Sequence, residues 1–128
     1  MVNLDSSFLI DLLAGEPRAV AKAVELDRSG VPRYVSAPAA AEVMIGAYRL
    51  GGAYFSRAKA LIDGLPLLPF DRAAYHQAGR LGAELQRRGI PLGQGDLFIA
   101  AISIQQGERL LTHDRGFSRV PGLAVETY

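Results

Sequence analysis

Apolar residues along this chain recur in two rhythms, short extended runs and longer stretches at helical spacing. Val2 to Leu4 is a short apolar run ending at Asp5, the pattern of a strand. Ser6 or Ser7 suits the cap of a first helix bearing Phe8, Leu9, Leu12 and Leu13, stopped by Gly15. A second helix is expected from Pro17 to about Ser29, ending at Gly30. The segment RYVSA (33 to 37) reads as a strand, and Pro38 suits the first position of a helix through about Leu50. Gly51 and Gly52 interrupt the pattern before Tyr54 to Asp63 resumes it.

LPLLPF (65 to 70) is a short extended piece bounded by prolines, and Asp71 caps a long helix to Arg88. Its apolar positions are Ala74, Ala78, Leu81 and Leu85. After the turn-rich RGIPLGQG, the segment GQGDLFIAAISIQQG (93 to 107) carries a single charge, Asp96. Its apolar residues leave almost no wet face, so this helix is expected to be buried. RLLT (109 to 112) and LAVET (123 to 127) read as the last strands.

Strands alternating with helices predict an α/β fold, a three-layer sandwich with a mostly parallel central sheet flanked by helices. No repeat or linker breaks the 128 residues, so one domain over 1–128 is expected, with 49% hydrophobic content to fill its core. No apolar run reaches the roughly 18 residues of a membrane span, and no charged start precedes a secretory core. The absence of cysteine removes disulfides and thiolate metal sites and fits a cytoplasmic location.

A net charge of +1 decides nothing about nucleic acid, but 12 of the 14 basic residues are Arg. Arg makes planar, bidentate contacts to phosphate. A genome that prefers arginine codons explains the bias equally well.

Four acids stand out by their surroundings. Asp5 ends the first strand and Asp114 follows RLLT, and open parallel sheets bind ligands beyond the carboxyl ends of strands. Glu42 is the only charge between Arg33 and Arg49, and Asp96 the only one between Arg88 and Glu108. Each acid has a structural explanation too. Asp5 could cap the first helix, Asp96 could sit at a helix end for its dipole, and Asp114 could belong to a turn. Glu42, inside an apolar helix, has no such routine job. Clustered carboxylates repel one another unless a cation holds them together, and oxygen-only ligands select a hard ion such as Mg²⁺ or Mn²⁺. Asp5, Glu42, Asp96 and Asp114 are therefore expected to share a metal.

NLDSSFLIDLL near the start, AEVMIGAYRL, GDLFIAAISI and LLTHDRGFSRVPGL, taken in order, resemble the PIN-domain ribonucleases, and more narrowly the VapC-type toxins of toxin–antitoxin pairs. The resemblance implies a Mg²⁺-dependent endoribonuclease whose catalytic acids are Asp5, Glu42, Asp96 and Asp114, with Asp5 and Asp96 as the foremost direct ligands. It implies a supporting role for Thr112, two residues before Asp114, and a small hydroxyl residue at Ser6. His113 falls at a variable position and receives no role. The resemblance further implies an RNA substrate, a cognate antitoxin protein and a homodimer. Met44, Ile45, Tyr48, Leu50, Tyr54 and Phe55 offer an apolar stripe for such an interface.

With the four acids set aside, 14 basic residues face 9 of the 13 acidic ones, a formal +5. Arg87, Arg88, Arg115 and Arg119 could grip phosphates, or simply be solvated; His76 is expected at the surface or in packing. A phospho-acceptor receiver domain also carries acids at strand ends. It generally pairs two acids at the first strand and places a Lys after a late strand, whereas Leu4 precedes Asp5 and the only lysines are Lys22 and Lys59. A non-catalytic PIN-like binding module and a DNA-directed nuclease of related architecture remain as alternatives.

Overall fold

The computed structural model describes residues 1–128. Five strands, β1 (Val2–Leu4), β2 (Arg33–Ser36), β3 (Leu67–Leu68), β4 (Arg109–Leu111) and β5 (Val125–Glu126), form one sheet in the order β3-β2-β1-β4-β5. Every neighbouring pair is parallel. Six helices connect and cover it: α1 (Ser6–Leu13), α2 (Pro17–Ser29), α3 (Ala37–Leu50), α4 (Gly52–Asp63), α5 (Arg72–Arg88) and α6 (Gln94–Gln106). In the central strand Val2, Asn3 and Leu4 are all buried. Successive strand residues point to opposite faces, so both faces of the sheet are covered. The expected sandwich is the observed one.

The strands are shorter than their apolar runs. β2 stops at Ser36 because the Ser36 hydroxyl turns to accept from Ala39 N–H and caps α3, drawing Ala37 into the helix. Prolines on either side reduce LPLLPF to a two-residue edge strand, and LAVET pairs only at Val125–Glu126. α4 begins at Gly52 rather than Tyr54. Gly51 and Gly52 both take positive φ, 67° and 58°, which turns the chain sharply enough for α4 to start at once.

α6 is buried as its composition demands, with Ile99, Ala100, Ala101, Ile102 and Ser103 all enclosed. It lies against α5, whose predicted stripe of Ala74, Ala78, Leu81 and Leu85 is buried in full. A hydrogen bond from Asn3 Nδ2 to Ser103 Oγ, 2.8 Å, ties β1 to α6 inside the core. The stripe at the α3–α4 corner divides: Met44, Tyr54 and Phe55 pack partly against the core, while Ile45, Tyr48 and Leu50 stand in solvent.

Candidate active site

The chain builds β1, β2 and β3 toward one edge, then returns to lay β4 on the other side of β1. Such a reversal opens a crevice at the carboxyl ends of the two strands between which the order switches. β1 delivers Asp5 there and β4 delivers Thr112 to Asp114. The pocket at this point, about 570 Å³, is lined by Asp5, Glu42, Asp96 and Asp114 together with Ser6, Ser7, Ile10, Asp11, His113 and Arg115. All four predicted acids reach one cavity.

Asp5 is 2% exposed and follows β1 without a break, its N–H donating to Leu111 O. It occupies the cap position of α1 yet makes no side-chain cap bond, so the capping explanation fails. Instead Ser7 Oγ and Thr112 Oγ1 each donate to Asp5 Oδ2 at 2.7 Å. Asp5 Oδ1 is buried with no hydrogen-bond partner at all. A buried carboxylate oxygen without a donor is costly unless something else completes it.

Glu42, one turn into α3, accepts from Ser6 Oγ at 2.6 Å. Its other oxygen lies against the start of α6, where a Cβ on Gly95 would stand 2.5 Å from Oε1. A side chain in place of Gly95 would displace the Glu42 carboxylate from this position, and the sequence carries the signal as a glycine directly before the helical acid.

Asp96 sits in the first turn of α6. A helix N-terminus favours an anion by roughly 0.3–1 kcal/mol. Here the opposite outcome prevails: burial, and then the charges of Asp5, Glu42 and Asp114, push its carboxyl up to about 6. A helix-end role does not account for an acid whose ionisation is disfavoured.

Asp114 has two functions. Its Oδ1 accepts from Gly116 N–H at 2.8 Å and caps the 3-10 turn at Arg115–Arg119, so the turn explanation holds as well. Its own N–H donates to Thr112 Oγ1 at 3.0 Å, which links the fourth acid to the first through one hydroxyl.

Two titratable residues of the wall, Asp11 and His113, were not foreseen as part of it, and Tyr128 stands behind them. Asp11, an acid not among the four that stand out in the sequence, lines the same pocket. Its Oδ2 is 2.7 Å from His113 Nδ1 and accepts from the Tyr128 hydroxyl. Burial opposes ionisation of Asp11, but the hydrogen bonds from Tyr128 and His113 and the charges of His113 and Arg18 hold its carboxyl below the usual range. Burial and then the Asp11 bond raise the Tyr128 hydroxyl above the ordinary phenol range, keeping it a donor. Of the arginines considered for phosphate contact, Arg115 reaches the pocket. Arg88 pairs with Glu84 at 2.8 Å and Arg87 lies in a separate groove on α5 with His76. His76 is exposed, as expected.

No three of these side chains are gathered closely enough to enclose one ion by themselves. The donor set still fits a hard cation: the four predicted carboxylates share one cavity, one with an orphaned buried oxygen and one with a raised pKa, and no sulfur lines it.

The PIN-domain profile matches residues 2–123. Among curated proteins, the tRNA(fMet)-specific endonuclease VapC of Salmonella typhimurium is 35% identical over 68 residues, an alignment spanning 52% of each chain. The protein of that name from Shigella flexneri is 29% identical over 130 aligned positions, spanning 98% of this chain and 96% of that one. The crystal structure of DNA-bound VapBC from Salmonella typhimurium superposes with a TM-score of 0.82 at 27% identity, covering 98% of this chain and 96% of that one. Four acids at one switch-point pocket and a profile match over almost the whole length lead to one assignment: this chain belongs to the PIN-domain family.

Proposed function

We propose that this chain is a Mg²⁺-dependent endoribonuclease, the toxin of a VapBC-type toxin–antitoxin pair. The observation that carries the reading is the convergence of Asp5, Glu42, Asp96 and Asp114 on one pocket, with Asp96 pushed up to about 6 by burial and then by the charges of the other three. RNA as substrate follows from the endonuclease names of the VapC relatives, and an antitoxin partner from the likeness to a VapBC structure.

Asp5 and Asp96 would hold the cation, with Glu42 and Asp114 completing the site directly or through water; Mn²⁺ would serve in place of Mg²⁺. When bound, the ion supplies charge stabilisation for the phosphate and activation of a water. The chain's own residues prepare this. Ser7 and Thr112 fix Asp5 through Oδ2 and leave Oδ1 free. Ser6 orients Glu42 from the other side. Thr112 also receives the Asp114 N–H, so one buried hydroxyl sets the relative position of two acids. Asp96, pushed up to about 6 by burial and the charges around it, still carries part of its proton just below neutrality and would release it on holding a cation.

A homodimer is part of the proposal. Ile45, Tyr48 and Leu50 stand 66%, 72% and 63% exposed on one segment of α3, an apolar area that a second copy would cover. The test of function is cleavage of a mixed RNA pool by purified protein with Mg²⁺, with EDTA, and with Mg²⁺ restored, beside a single-stranded DNA of the same sequence. EDTA-reversible cleavage of RNA alone is expected. Cleavage of DNA instead would make this a DNA-directed nuclease, and binding without cleavage a non-catalytic module.

A further inference from the structure

A solvent-facing histidine on a turn is ordinarily held by nothing, yet His113 is held at three points. Its N–H donates to Ser7 Oγ at 3.3 Å, its Nδ1 lies 2.7 Å from Asp11 Oδ2, and the Tyr128 oxygen stands 3.1 Å from that nitrogen. The Tyr128 proton goes to Asp11, so both groups facing Nδ1 are acceptors there and Nδ1 carries the hydrogen. Tyr128 is itself anchored, its ring edge-on to buried Phe8 with centroids 5.1 Å apart.

The His113 side chain is nonetheless 53% exposed. Fixing a side chain costs conformational entropy, and here burial does not offset it. What the constraint leaves is Nε2, the ring nitrogen these bonds do not use. The rest of the pocket wall gives that atom its meaning. Besides Ile10 and the carboxylates, the lining side chains are Ser6, Ser7, His113 and Arg115. Both serine hydroxyls are committed, to Glu42 and Asp5. An anionic strand entering this acidic cavity therefore meets two non-acidic polar groups, the His113 ring and Arg115.

We propose that His113 is a substrate-contact residue whose Nε2 hydrogen-bonds the RNA strand beside the acidic pocket, with Asp11 and Tyr128 as the positioning residues that aim it. This rests on the nuclease reading above. The experiment is fluorescence anisotropy with an end-labelled single-stranded RNA in EDTA, paired with the rise in melting temperature on adding Mn²⁺. His113→Ala is expected to weaken RNA binding about tenfold, the loss of one hydrogen bond to a charged strand. Asp11→Ala and Tyr128→Phe are expected to weaken it about threefold, the latter keeping its ring on Phe8. Asp11→Asn, which retains an acceptor for the Nδ1 hydrogen, is expected to bind at least as tightly as wild type. The Mn²⁺-induced rise should be the same in all, a result that a merely structural role would not give together with weakened binding. RNA affinity unchanged in His113→Ala, while wild type binds and cleaves RNA, overturns this inference alone. Wild type that neither binds nor cleaves RNA overturns the nuclease reading and this inference with it.

Discussion

Thr112 Oγ1 donates to Asp5 Oδ2 at 2.7 Å, joining the carboxyl ends of two adjacent parallel strands across 107 residues of sequence. The hydroxyl is fully buried and also accepts from Asp114 N–H. Thr112→Val keeps the shape and removes both bonds, so it should cost about 1–3 kcal/mol in urea denaturation. Cation affinity should fall roughly 10- to 100-fold, as when an outer partner of a ligand is lost. Thr112→Ser should retain most of the affinity. Equal Mn²⁺ affinity in Thr112→Val and wild type would show that this bond serves the fold alone.

Asp96 sets the pH behaviour of the metal-free protein. Its carboxyl titrates near 6 when folded and near 3.8 when unfolded, so between those values the folded chain binds more protons. Stability therefore falls as pH rises from about 4 to about 6 and stays lowered above that. The full shift corresponds to about 3 kcal/mol, and solvent screening of a part-buried group reduces this to on the order of 1–2 kcal/mol. Asp96→Asn should melt higher than wild type at pH 7.5 in EDTA, the gap closing near pH 4. Millimolar Mn²⁺ should reverse the order at pH 7.5 by stabilising only wild type. A variant melting below wild type in EDTA would contradict the repulsion among the acids.

The four acids were legible because a charge inside an apolar run has few routine explanations, and because their order along the chain resembles that of a family. Structural uses could be settled only in three dimensions. The cap explanation for Asp5 fails since it caps nothing and its Oδ2 accepts from Ser7 and Thr112, while the turn explanation for Asp114 holds alongside its place in the pocket. Asp11 was not legible because nothing local marks it; its partners lie 102 and 117 residues away. Strand limits blurred for the same kind of reason. Where β2 ends is decided by a side chain turning to cap the next helix, not by the apolar run itself.

α6 carries the core as well as Asp96. Ile99 and Ile102 are both fully buried, so truncating either to Ala should cost about 2–5 kcal/mol by urea denaturation. The substituted helix has no wet face onto which to rotate, so little relaxation is available. A cost under about 1 kcal/mol at both positions would mean that the helix repacks freely.

The exposed apolar segment of α3 predicts an oligomer. Tyr48, 72% exposed, stacks edge-on to Phe55 with centroids 4.8 Å apart, presenting a rigid aromatic pair at the surface. Analytical ultracentrifugation should find wild type dimeric and Tyr48→Arg monomeric, because a charge at the centre of such a contact is left desolvated and unpaired. A monomeric wild type at tens of micromolar would remove the dimer from the proposal.

The acids themselves predict a division between cleavage and binding. Groups that hold a cation lower the barrier by stabilising charge that develops on the phosphate, so their loss acts on rate. Asp5→Asn and Asp96→Asn should each abolish RNA cleavage in single-turnover assays. RNA affinity in filter binding should be retained or raised, since each change deletes a negative charge beside the phosphodiester. Arg115→Ala should do the reverse, weakening binding and flattening its salt dependence, because it is the arginine that lines the pocket. Asp11 cannot serve as a neutral comparison, being on the pocket wall. Asp63→Asn does: Asp63 is an exposed acid on α4 paired with Lys59, and it is not among the pocket's lining residues. It should cleave at the wild-type rate. Full activity in Asp5→Asn or Asp96→Asn would refute the nuclease assignment, whatever the family to which the chain belongs.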